Sequence, residues 1–243
     1  MEYESLAVIC GLGAAAIFGA GDFCGGLATK RSSVYSVIII SQIIGLAMLA
    51  GFAVATNEAI PPAGDLAFGG LAGLFGTIGL ICLYLGLARG QMGVAAPVSA
   101  VTGAILPVAM GIFMEGMPSA WQICGLLLGI CAIWCLAGGG SGSPLRLRGL
   151  GLPIIAGLGF GMFFVFIDRV SETSTFWPLV TARVVSITTI STFATLFRQE
   201  VKVAWDRRLF VIALAGIFDA GGNILFAITS SIGRLDISAV LTS

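Results

Sequence analysis

Most charged residues collect in short segments between apolar stretches of about 20 residues, the length a helix needs to cross a hydrocarbon layer about 30 Å thick. Inside such a layer the backbone has no water to bond, so each stretch must close its own hydrogen bonds as a helix. Short alternating strands of the kind a membrane barrel requires are absent from the pattern. With 58% hydrophobic and 10% charged residues among 243, the chain is too apolar for a soluble domain of its size. The pattern predicts helices over 5–28, 34–56, 66–88, 93–114, 120–139, 149–168, 176–197 and 209–229, with a ninth beginning near 237. The opening MEYESLAVIC has no basic n-region and further spans follow it, so it reads as a membrane helix and not as a cleaved signal.

The chain also repeats itself. Residues 72–100 lie without a gap on 215–243, with matches at Ala72/Ala215, Gly73/Gly216, Phe75/Phe218, Gly79/Gly222, Ile81/Ile224, Gly90/Gly233 and Ala96/Ala239. Phe18-Gly19 falls on Phe160-Gly161 at almost the same offset, so the phase holds over most of the copy. The linker GSGSPLRLR at 140–148 separates a first copy at 1–139 from a second at 149–243, which stops where the first runs on to Gly139. Five helices per copy is an odd number, so the second copy enters the membrane from the opposite side. The expected fold is an all-α polytopic membrane protein of two inverted five-helix repeats, the second cut short, with about eight full helices and a stub of the ninth. Inverted repeats are the architecture of secondary transporters, whose substrate site lies between the repeats near the bilayer midplane. The other reading is an incomplete fragment of such a protein with no transport activity by itself.

Several function classes fall away. Histidine is absent, which removes the commonest general base and a favoured metal ligand. The six cysteines sit inside apolar spans with no C-x-x-C pair, and buried small hydrophobes explain them better than metal or disulfide roles. Zero net charge and scattered basic residues give no footprint for nucleic acid. The run GLGFG at 157–161 lies in an apolar span with no strand before it, so it is no nucleotide loop. No nucleophile, metal set or cofactor motif is found, and neither enzyme chemistry nor a cofactor is expected. The expected partners are a small-molecule substrate and the lipid bilayer, with a second copy of the chain a candidate.

Helix packing and orientation follow from smaller signals. Pairs spaced G-x-x-x-G, such as Gly69/Gly73 and Gly157/Gly161, let helix backbones approach closely. Pro97 and Pro107 interrupt the fourth span, either as a kink beside a cavity or by simple packing tolerance. Trp121 and Trp177 open their spans at interface depth, as an aromatic belt would. Lys30, Arg31, Arg89, Arg146, Arg148, Arg198, Lys202, Arg207 and Arg208 fall in alternate loops, while Arg169 and Arg234 lie on the other side. The positive-inside rule thus places the first loop in the cytoplasm and the amino terminus outside.

Charges within spans are expensive, and each is by default a functional candidate. Asp22 lies about 9 Å from the loop end of the first helix and Gln42 about 12 Å into the second from the same loop, close enough in depth to hydrogen bond. Without a nearby cation Asp22 is either a partnered packing residue or a desolvated carboxyl suited to reversible protonation; the second is favoured. Asp219 and Asn223 stand i, i+4 on one face of the eighth span, and Arg183 lies at a depth between them. A buried Arg183–Asp219 pair is the simplest host for both charges; the sharper reading has Arg183 bind an anionic substrate. Asp168 and Arg169, at a helix end, need no more than interfacial snorkelling.

Five segments, GAGDFCGGLATKR at 19–31, SQIIGL at 41–46, ARGQMGVAAPVSAVTGAILPV at 88–108, GFGMFFVFIDR at 159–169 and DISAVLTS at 236–243, together resemble the EamA-type family of the drug/metabolite transporter superfamily. The resemblance implies ten helices in two inverted repeats around a central cavity, and a plasma-membrane carrier of small metabolites or drugs, driven by protons or by exchange. It implies further sequence after the matching LTS, and a cytoplasmic amino terminus where the charges argue for the reverse.

Overall fold

The computed structural model describes residues 2–89, 92–117, 150–170, 174–199, 201, 207–232 and 235–242, with isolated positions between 120 and 135. Its helices are α1 (Glu2–Thr29), α2 (Val34–Ala55), α3 (Ala63–Ala88), α4 (Met92–Glu115), α5 (Gly151–Asp168), α6 (Phe176–Leu196), α7 (Arg207–Ile232) and α8 (Leu235–Thr242). Among the described residues seven are long and apolar enough to cross a membrane; α8 has eight residues. Their ends fall within about three residues of those read from hydropathy, because the same charges and turn residues that interrupt the apolar runs also end the helices. The span expected at 120–139 lies largely outside the described residues. Side chains such as Ile9, Phe113 and Phe210 are exposed on the outside of the bundle, as lipid-facing positions are.

Helices of one half pack mainly on helices of the other. α1 lies along α7 and α3 along α5; α3 meets α6 and α2 meets α7; α4 meets α5 and α1 meets α8. These are exchanged pairs: replacing each of α1 to α4 by its successor four elements on, and the reverse, returns the same set. The pairs α2/α6 and α4/α8 map onto themselves. α2 and α6 run antiparallel, with Tyr35 stacked on Phe193 at one end and Phe52 on Phe176 at the other.

Close approach at these crossings depends on missing side chains. A Cβ on Gly73 would sit 2.2 Å from the Ala182 carbonyl oxygen, and one on Gly216 would sit 2.3 Å from that of Ser41. A Cβ on Gly79 would run into the Phe160 ring and one on Gly222 into the Phe18 ring. Lipid tails are as apolar as leucine, so contact area and backbone proximity hold the helices together, and small residues supply both. α4 runs as one helix through Pro97 and Pro107. Pro107 leaves the Gly103 carbonyl without its intrahelical donor. Gly161 lies against that carbonyl, where a Cβ would be 2.7 Å away.

The six cysteines are free, but not buried: Cys10, Cys24 and Cys82 are partly exposed and Cys124, Cys131 and Cys135 exposed. In a membrane a small apolar side chain gains nothing by avoiding the lipid, which is why the soluble-protein expectation fails.

Candidate substrate cavity

Between the two halves lies a cavity of about 600 Å³. Its wall is mostly apolar, with Phe18, Phe160, Phe163 and Phe164 contributing rings, and Asp22, Gln42, Arg183, Asp219 and Asn223 all line it. The structure thus brings together the five residues offered as substrate or proton candidates, drawn from α1, α2, α6 and α7.

Arg183 is the hub. It stands about two turns into α6, where the side chain is enclosed by α2 and α7, and it is 7% exposed. Its Nη1 lies 2.5 Å from Asp219 Oδ2 and donates to Gln42 Oε1 at 2.6 Å. Gln42 Nε2 in turn donates to Asp219 Oδ2 at 3.3 Å. Asn223 Nδ2 donates to the Asp219 backbone carbonyl at 2.7 Å and to its Oδ1 at 3.3 Å, as the i, i+4 spacing on α7 allows. Arg183 Nη2 is buried and has no hydrogen-bond partner among the described residues. The guanidinium charge is therefore neutralised by one carboxylate while part of its donor capacity stays unused.

The expected Asp22–Gln42 hydrogen bond is absent. Depth placed the two at one level, but α2 packs on α6 and α7 and barely on α1, so the Gln42 amide is taken up by Arg183 and Asp219. Asp22 makes no hydrogen bond among the described residues. With Arg183 and Asp219 cancelling, Asp22 leaves the charged lining of the cavity with a carboxyl in excess when ionised.

Asp168 and Arg169 also do more than snorkel: Ser230 Oγ donates to Asp168, and Arg169 Nη2 contacts Met114 Sδ. Two wall residues escaped the sequence reading. Thr77 Oγ1 lies 2.6 Å from the Gly73 carbonyl and 2.7 Å from Ser186 Oγ, tying α3 to α6 inside the cavity. A hydroxyl can satisfy itself on its own helix, so a lone Thr or Ser in an apolar span carries little signal.

A helical bundle that crosses the membrane around an internal, partly charged cavity defines a transporter-like, multi-pass membrane protein. The model of the EamA-like transporter family matches residues 5–138, more than half of the sequence, and the chain belongs to that family. A solved crystal structure shares the fold, with a TM-score of 0.77 at 17% identity, covering 98% of this chain and 84% of that one. No curated protein matches significantly.

Proposed function

We propose that the protein is a secondary transporter that carries a small solute through the cavity between two inverted repeats, residues 1–139 and 149–243, joined by the linker at 140–148. The observation that carries this reading is the convergence on one cavity of Asp22, Gln42, Arg183, Asp219 and Asn223, from four helices and both halves. Polar groups at this depth cost free energy in an inert bundle, and a path for a polar solute is the usual reason to keep them. The exchanged helix pairs support the inverted repeat, since two copies related by an axis in the membrane plane must contact one another in that manner.

In this reading Arg183 and Asp219 form a neutral, fixed element with Gln42 and Asn223 around it. Asp22 is the exchangeable group, holding a proton or facing the solute in turn. The aromatic wall supplies stacking surface and the charge excess at Asp22 favours solutes bearing a positive group. The distribution of basic loops favours a cytoplasmic location for the end at which α1 finishes, whereas the family resemblance implies the reverse.

The test is flux. Protein in proteoliposomes is offered small organic cations, zwitterions and anions under an imposed pH gradient. The reading expects at least one class to move faster than in empty vesicles, with the gradient setting the direction. Flux equal to that of empty vesicles across all three classes would refute it.

A further inference from the structure

Glu58 belongs to no span and does not touch the cavity, yet it binds the opposite half of the protein. α2 ends in a paired turn: Asn57 N donates to Val54 O and Glu58 N to Ala53 O, with Asn57 in the left-handed region at φ 51°. The turn directs Glu58 at the start of α6. The first N–H groups of a helix have no intrahelical partner, and α6 has no capping side chain at its own N-cap residue, Thr175. Glu58 takes that place. Its carboxylate accepts from Thr175 N at 2.6 Å, Phe176 N at 3.0 Å, Trp177 N at 3.1 Å and Ser174 Oγ at 3.0 Å. Trp177 Nε1 donates to the Glu58 backbone carbonyl at 2.9 Å, and Phe52 stacks on Phe176 beside it. Trp177 is thus engaged by the other half, and is more than a belt residue.

This clamp lies over one end of the cavity. Leu179, two residues beyond Trp177, is buried and lines the wall. At the other end the lining reaches Leu87 and Ala96, within about a turn of where α3 finishes and α4 starts. There the halves meet through the Tyr35–Phe193 stack and an exposed bond from Arg208 Nη1 to the Arg31 carbonyl. The two ends also differ from the middle in what parting would cost. Glu58 is half-buried at the membrane surface, where water can replace each donor it loses, whereas Arg183, 8% exposed, would give up the carboxylate that neutralises it.

We propose that Glu58 is a gate: it holds the halves together over the end of the cavity where α6 begins, and its release opens that end. The proposal rests on the transport reading in that the cavity must open to each face in turn. Its test needs no solute, so the two can fail separately. A cysteine is introduced by Leu179→Cys, and sealed vesicles are treated with a charged, impermeant maleimide on the face where α6 begins. Modification is read by peptide mass spectrometry at position 179, so the native cysteines do not enter. Adding Glu58→Ala should speed modification by about tenfold or more, the scale set by bonds to a charged group. Phe52→Cys and Phe176→Cys joined by a short bifunctional thiol cross-linker should return the rate to that of Leu179→Cys alone. If Glu58→Ala fails to insert, Glu58→Gln and Trp177→Phe each remove part of the clamp and should give intermediate rates. Rates in the folded variants that match Leu179→Cys alone would overturn the proposal and leave Glu58 a static helix cap.

Discussion

Removing either partner of the Arg183–Asp219 pair should not cost the same. Asp219→Ala leaves Arg183 with the Gln42 carbonyl as its remaining acceptor, and the side chain, only 8% exposed at the cavity wall, has little water to replace the lost carboxylate. An unpaired arginine at such depth costs about 2.5–3.5 kcal/mol. Arg183→Ala leaves Asp219 better served: its side chain is 26% exposed to the cavity and keeps amide donors from Gln42 and Asn223. With those donors kept, the loss should be about 1–2 kcal/mol. The double substitution removes both charges and should cost about 1–2 kcal/mol in lost packing, far less than the sum of the two. The coupling energy is then about 2–3 kcal/mol. Hydrogen bonding without charge neutralisation would give much less, since interhelical bonds in membranes average about 0.6 kcal/mol. Equilibrium unfolding of the four proteins in mixed micelles titrated with dodecyl sulfate measures the cycle. Coupling below about 1 kcal/mol, or a larger loss from Arg183→Ala than from Asp219→Ala, would refute the account of a buried cation held by its carboxylate.

Asp22→Asn should leave the unfolding transition in place and abolish pH-driven accumulation, while exchange of solute down its own gradient continues; uphill flux at the normal rate would make Asp22 structural. Gly73→Ala should destabilise by about 1–3 kcal/mol in the same micelle titration, because its Cβ meets a backbone carbonyl that cannot yield without α3 and α6 separating. Gly51→Ala meets nothing within 4 Å and should be neutral or slightly stabilising by the same measurement. Gly79→Ala and Gly222→Ala press on the exchanged rings Phe160 and Phe18 and should lower stability by similar amounts; a loss confined to one would deny the equivalence of the two contacts.

Hydropathy and loop charges made the helices legible because length and burial of backbone groups leave no other structure for those runs. Depth along a helix was legible too, and it sufficed to place Arg183 level with Asp219. What depth cannot supply is azimuth. Gln42 and Asp22 share a level, but which way α2 faces is decided by Gly216 on Ser41 and by the α6 crossing, contacts distant in sequence. Glu58 was missed for a related reason: it caps a helix of the other half, so no local S-x-x-E spacing announces it. A signal existed in the repeat. The offset that carries Phe18 onto Phe160 also carries Ser32, Ser33 and Tyr35 onto Ser174, Thr175 and Trp177, and Glu58 onto Glu200. Two helix starts and two acidic residues in step ask for a shared purpose that neither suggests alone.

The repeat alignment, whose offset shifts by one residue between the earlier and the later spans, also shows where the repeat is not kept, and the candidate site residues fall there. Phe18 and Phe160 correspond, as do Gly79 and Gly222, and their contacts recur as exchanged pairs. At the polar positions the correspondence fails: Asp22 falls on Phe164, Gln42 on Val184 and Arg183 on Ser41, while Asp219 falls on Gly76 and Asn223 on Leu80. Faithful copies would have set two arginines or two carboxylates near the α2/α6 crossing, where like charges in a low dielectric repel strongly. One charge of each kind per position lets Arg183 and Asp219 neutralise each other and leaves Asp22 without a twin. In the proposed cycle a doubled scaffold would open at either end in turn, and a charged site that is not doubled would present the same groups to the solute each time.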